Sequence, residues 1–186
     1  MRIEIGRVMK LIGLQFDRTS AACQSPVQGG ERKERIMANG MGTDEDMIRA
    51  IIDRQFASLS WDETIAPRWD DFAGDFLDGA SLYPAARPAR RTSVADFVER
   101  MRGLSDTSLR SLQETVLGTD ICVFGNIAIA AVTAEMIENS AETSRSMEML
   151  LLVKSEGQWK IVAQAWDKAS EANPLPDALV SGVTSR

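Results

Sequence analysis

The feature that most restricts this chain is a change of hydrophobic period near Ser111. From there to Asp167 apolar and polar residues alternate with a repeat of two and β-branched residues are frequent, the pattern of half-buried strands. Turn signals at Gly125-Asn126, around 139–143 and at Glu156-Gly157 divide the run into strands at 111–123, 127–138, 144–155 and 159–167. Connections this short join only antiparallel neighbours, so the predicted sheet is a four-stranded meander.

The half before it has a helical period. Thr43 followed by Asp46 is a capping-box start, and Met47, Ile48, Ile51, Ile52, Phe56 and Leu59 recur at helical spacing, which predicts a helix over 43–60. Ile65, Trp69 and Phe72 share a face of a second helix over 62–73, with Pro67 tolerated in its first turns. Asp78-Gly79 between Phe76-Leu77 and Leu82-Tyr83 reads as a small hairpin. Ser93 and Asp96 repeat the cap ahead of Val94, Phe97, Val98, Met101 and Leu104, a third helix. Three helices and a hairpin before a long meander make an α+β order.

At 186 residues the chain suits one core, and its net charge of -6 has the wrong sign for holding phosphate backbones, so nucleic acid is not an expected partner. It has no histidine, which removes Ser-His-Asp and Cys-His catalysis, and its two cysteines are too few for a four-Cys zinc site or a disulfide framework. No metal and no cofactor are expected. Glu4, Arg7 and Lys10 interrupt the one apolar stretch near the start, so no signal peptide is read; the run Ile121 to Ala134 is broken by Gly125 and Asn126 and too short to span a membrane, and a cytoplasmic location is expected. Residues 1–42, with the charged run Glu31 to Arg35, have the composition of a disordered arm; 43–170 form the domain, and Asn173-Pro174-Leu175-Pro176 marks a tail over 171–186. The dinucleotide-like Gly40-Met41-Gly42 lacks a preceding strand, and Asp70, Asp71, Asp75 and Asp78 lack calcium-loop spacing.

The run Val123-Phe124-Gly125-Asn126-Ile127-Ala128, the strand Arg145 to Lys154 and the turn Gly157-Gln158-Trp159-Lys160-Ile161-Val162 resemble the closing strands of the nuclear-transport-factor-2-like (NTF2-like) superfamily, which includes SnoaL-like and ketosteroid-isomerase-like proteins. The resemblance covers about residues 43–170. It implies a cone-shaped fold, three N-terminal helices packed on a curved antiparallel sheet, with a pocket on the concave face and a homodimer formed through the sheet. It does not carry over a catalytic set. Ketosteroid isomerases pair an Asp base with a Tyr and a protonated Asp, yet helix one has no tyrosine; scytalone-dehydratase-like members use histidines, which are missing here.

Pairing 138 with 144 and 155 with 159 sets two faces. One carries Ala131, Thr133, Glu135, Arg145, Met147, Met149, Leu151, Val153, Trp159, Ile161, Ala163, Ala165 and Asp167; the other carries Ala130, Val132, Ala134, Glu148, Leu150, Leu152, Val162, Gln164 and Trp166. Both are largely apolar. The Trp159/Ile161 face is placed inward, and Leu150, Leu152, Val162 and Trp166 are assigned to the dimer interface, because three helices cannot cover both. Glu135, Arg145 and Asp167 then form a candidate acid-base site beside Met147 and Met149, one carboxyl protonated near neutral pH and the other held ionised by Arg145; the alternative is an exposed rim network. Tyr83 is a candidate oxyanion donor or a packing residue, and Trp61, Trp69 and Phe72 a pocket wall or plain core. A bulge at Gly118 would turn Glu114 inward to join Glu135, Arg145 and Asp167, whereas regular pairing would face it the other way. The resulting expectation is a protein that binds a small apolar ligand, with isomerase, dehydratase or cyclase chemistry on a carbonyl compound among its roles. A non-catalytic interaction module is the alternative.

Overall fold

The computed structural model describes residues 42–180. The arm expected over 1–42 lies outside them apart from Gly42, as do residues 181–186 of the tail.

Helix α1 (Asp44–Ser58) starts as predicted, with the Thr43 hydroxyl accepting from Asp46 N and the Asp46 side chain accepting from Thr43 N at 2.9 Å. It buries Ile48, Ile51, Ile52, Gln55 and Phe56 along one stripe. The second helix is shorter than expected: α2 is Trp69–Gly74. Over 62–65 the Asp62 carboxylate accepts from Thr64 N at 2.6 Å and Ile65 N at 2.8 Å, a local turn that competes with helix. Helix α3 (Val94–Ser105) is capped by Ser93, whose hydroxyl accepts from Asp96 N.

The strands are β1 (Phe76–Tyr83), β2 (Thr92–Ser93), β3 (Leu112–Phe124), β4 (Ile127–Glu138), β5 (Glu142–Ser155) and β6 (Gln158–Lys168), in one sheet of order β2-β1-β6-β5-β4-β3. The predicted meander is β3 to β6, and its β5–β6 turn, Glu156-Gly157, takes the two positive φ values that a two-residue hairpin requires. The expected hairpin at 76–83 is instead one strand, parallel to β6, with Gly79 at φ 77 inside an irregularity between Phe76 and Ser81. The Asp-Gly pair bends a strand that buries Phe76, Ala80 and Leu82 rather than reversing it. Among the described residues no helix is long and apolar enough to cross a membrane.

The faces are assigned by register and by two bulges. Glu135 pairs with Arg145 and Glu138 with Glu142, two residues away from the expected register. Ala128, Ala130, Val132, Ala134, Leu150 and Leu152 all face the helices and are buried. Leu150 and Leu152 are therefore core residues and not an interface: within the chain they are buried in one cluster with Ile48, Ile51 and Ile52 of α1. Strand β6 contributes residues from both predicted faces to this inner side. Leu152 pairs with Ile161 and Leu151 with Ala163, which leaves Val162 as an extra residue, so Trp159 and Ile161 before it and Gln164 and Trp166 after it point the same way. In β3 a second shift lies between Val116 and Gly118, where a bulge is one of the two alternatives, and Glu114 pairs with Met136 on the inner side, away from Glu135, Arg145 and Asp167.

The outer face carries Ile127, Ile129, Met149, Leu151 and Tyr83, all exposed. One end of it is covered by the tail: Leu179 of the 3-10 turn Asp177–Leu179 accepts from the Thr133 hydroxyl at 2.7 Å, and a Cβ at Gly118 would lie 1.9 Å from the same Leu179 oxygen. Only glycine permits that approach.

Candidate functional site

Between α1, α3 and the inner sheet face lies a cavity of about 300 Å³. Its walls are apolar, with Phe72, Leu82, Phe97, Met101, Leu112 and Trp166 among them, and Phe97 meets Trp166 edge-on at 5.7 Å. Polar side chains interrupt that surface: Gln55 from α1, Glu114 from β3, Glu148 from β5 and Gln164 from β6, with Arg100, Glu138 and Lys168 also among the lining residues.

The scaffold holds the first four. Trp61 and Leu112 exchange backbone hydrogen bonds of 2.8 and 2.9 Å, and the next loop hydroxyl, Ser60, accepts from Glu114 N at 3.0 Å, which ties the end of α1 to β3. Gln55 Nε2 donates to Gln164 Oε1 at 3.0 Å, and Gln164 Nε2 donates to Glu148 Oε2. These bonds form a directed chain from helix to strand to carboxylate. Gln55 Oε1 is buried without a hydrogen-bond partner, an uncommon state for a buried acceptor.

Both carboxyls are hard to ionise. Burial pushes Glu114 up to about 8, with the charge of Glu148 adding to the effect. Burial pushes Glu148 up to about 7 against the opposing hydrogen bond from Gln164. Glu114 keeps some accessible surface because it borders the cavity. At neutral pH the pair thus offers a proton donor beside a partly ionised acceptor, the condition for general acid-base work and for donating hydrogen bonds to a ligand carbonyl.

The other expected site residues lie elsewhere. Glu135, Arg145 and Asp167 do share a neighbourhood, but on the outer face: Arg145 Nε donates to Glu135 at 2.9 Å across the β4–β5 pair, and Asp167, opposite Met147, pairs with Arg87 at 2.7 Å. Met147, Met149 and Tyr83 are also on the outer side: Ala131, Met149, Ala165 and Tyr83 form one row, the two-residue slip keeps its parity, and it is the opposite face that turns toward the helices. Phe72 lines the cavity, while Trp61 and Trp69 pack 6.0 Å apart behind it, the Trp61 indole donating to Leu109 O. Trp166 lines the cavity and Val162 is the bulge residue. Glu148, Gln164 and Gln55 were not assigned to the site from sequence. The available signal was one charged residue in the otherwise apolar series 148, 150, 152, and one amide in the buried stripe of α1. Among the described residues no group of three or more Cys, Asp and Glu side chains is gathered to hold a metal.

A sequence profile of the family described as "Putative lumazine-binding" matches residues 71–167, just over half of the chain. The chain belongs to this family. No curated relative matches it by sequence. Among solved structures, this lumazine-binding-like chain is similar to an NTF2-like protein from Pseudomonas putida, with 12% identity, TM-score 0.56, and 71% of this chain and 92% of that one covered. A cystatin-like-fold protein from Caulobacter vibrioides matches at 18% identity and TM-score 0.56, over 69% of this chain and 91% of that one. A Novosphingobium aromaticivorans protein titled "Putative Scytalone Dehydratase" matches at 14% identity and TM-score 0.53, over 68% and 84%. At these identities the likeness establishes the NTF2-like fold and nothing about chemistry.

Proposed function

We propose that this protein binds the flat, uncharged ring of a small carbonyl compound in the inner cavity, and that Glu114 and Glu148 act on it as an acid-base pair. The observation that carries the reading is the placement of two carboxyls, both shifted toward their neutral form, in one apolar cavity of about 300 Å³. A heterocyclic dione such as lumazine fits this chemistry, since its carbonyls accept from protonated carboxyls and its ring N–H groups donate to Gln55 Oε1 or to ionised Glu148. Isomerase, dehydratase or cyclase chemistry needs the same pair: Glu148 takes a proton from carbon while Glu114 donates to the developing oxyanion.

Thermal shift and calorimetry with lumazine and a panel of cyclic ketones and phenols test this, a ligand at 100 times its Kd adding about 2.7 kcal/mol. Binding lost in Glu114→Gln and Glu148→Gln supports the assignment, and α-proton exchange of a bound ketone in D2O, lost in Glu148→Gln, supports catalysis. Absence of any shift would overturn the reading in favour of a non-catalytic interaction module. We also propose a homodimer through the outer face, since Ile129, Met149 and Leu151 lie exposed in adjacent strands with nothing of the described chain over them.

A further inference from the structure

The cavity is polarised from floor to rim, and the rim carries a charge that the floor chemistry does not use. Arg100 and Lys168 both line the cavity while being exposed, which puts them at its opening. Their positions follow from the aromatic contact beneath them. Phe97 of α3 meets Trp166 of β6; Arg100 is three residues beyond Phe97 on the same helix face, and Lys168 is two beyond Trp166 on the same strand face. The Phe97–Trp166 contact therefore brings the roots of two cations together over one wall.

Among the described residues neither cation has a carboxylate partner. The neighbouring cations do: Arg87 is held by Asp167, Arg102 by Glu99 and Arg145 by Glu135. Among the described residues, the acidic side chain at the opening is Glu138 on β4, two strands from β6 and so about 10 Å across the sheet. Two unpaired cations on one wall, with the acidic group on the other, form a half-site for an oxyanion.

We infer that the natural ligand carries a terminal carboxylate or phosphate, bound at the rim by Arg100 and Lys168, with its uncharged ring inside the cone. This rests on the proposed ligand site and adds to it the class of ligand, an acid with an apolar or heteroaromatic body. Arg100 offers a planar fork and Lys168 a point charge, a combination that accepts either oxyanion.

The test compares matched probes by calorimetry: lumazine against lumazine-6-carboxylate, and 4-phenylbutanamide against 4-phenylbutanoate. The wild-type protein should bind the carboxylate of a pair about tenfold tighter, the worth of roughly one charge-assisted hydrogen bond at a wet rim, and the preference should shrink as salt is raised. In Arg100→Gln/Lys168→Gln the two members of each pair should come within about twofold of each other, and Arg100→Glu should reverse the preference. Melting curves without ligand establish that each variant is folded, and either single substitution serves if the double variant is not. Equal affinity for acid and neutral partner in the wild type would overturn the rim assignment while leaving the cavity reading in place. No binding of any of the four compounds would overturn both.

Discussion

Glu148 shows how a single side chain sets the character of the cavity. Its burial favours the neutral acid, and only the amide of Gln164, itself held by Gln55, works in the opposite direction. Removing that donor in Gln164→Leu should raise the Glu148 pKa above about 7, read by carboxyl carbon NMR; an unchanged or lower value would show that the amide chain does not reach the carboxylate. The pair also ties stability to pH. The folded state retains protons that the unfolded chain releases near 4.5, so the associated stability is fully present below that value and is lost as pH rises through about 7 and about 8. The melting temperature of the free protein should fall by roughly 5 °C or more between about pH 5 and 8. Glu114→Gln and Glu148→Gln should each flatten that curve and melt higher than wild type at pH 8. A flat wild-type profile would mean that the carboxyls are solvated and ionise as in water.

Among the elements, β3 and β6 do more than supply length. The extra residue Val162 puts Trp159, Ile161, Gln164 and Trp166 on one side, so a single strand contributes both core and cavity lining. The shift between Val116 and Gly118 turns Glu114 inward and leaves a site on the outer side where backbone meets backbone. Gly118→Ala should displace the 3-10 turn, because its Cβ would overlap Leu179 O and the Thr133 hydroxyl would lose that acceptor. Hydrogen exchange at Leu179 and Val180 should accelerate, while global stability falls by at most about 1–3 kcal/mol, since the turn can lift away. Unchanged protection at those amides would show that the contact is not made. The register that distinguishes these faces was not legible in a period of two, because Met149 and Leu151 are as apolar as Leu150 and Leu152.

At the scale of the molecule, one sheet has two apolar faces and the helices cover only the inner one. The proposed dimer places the outer rows of two chains together, and Leu151→Glu should yield a folded monomer in light scattering, since its side chain is 43% exposed and leaves the core intact. A wild-type protein that is monomeric at micromolar concentration would remove the dimer. The tail already covers the Thr133 end of this face, so the region left for a partner runs from Met149 toward Ile127.

Local chemistry was enough for α1, α3 and the β3–β6 meander, but not for β1 and β2, which are strands only through their pairing. Capping residues at Thr43 and Ser93, positive-φ turns at Gly125 and Glu156-Gly157, and alternation along β3 to β6 act within a few residues, and each is legible in the sequence. The α+β class and the NTF2-like fold follow from the order of those elements. Which face turned inward depended on where three helices came to rest and on two bulges whose effect is to reverse parity. That is a choice between nearly equal apolar surfaces, made by packing over residues far apart in the chain. The cavity carboxyls share its cause: Glu114 and Glu148 are 34 positions apart in sequence and acquire their chemistry only when the cone removes water from both.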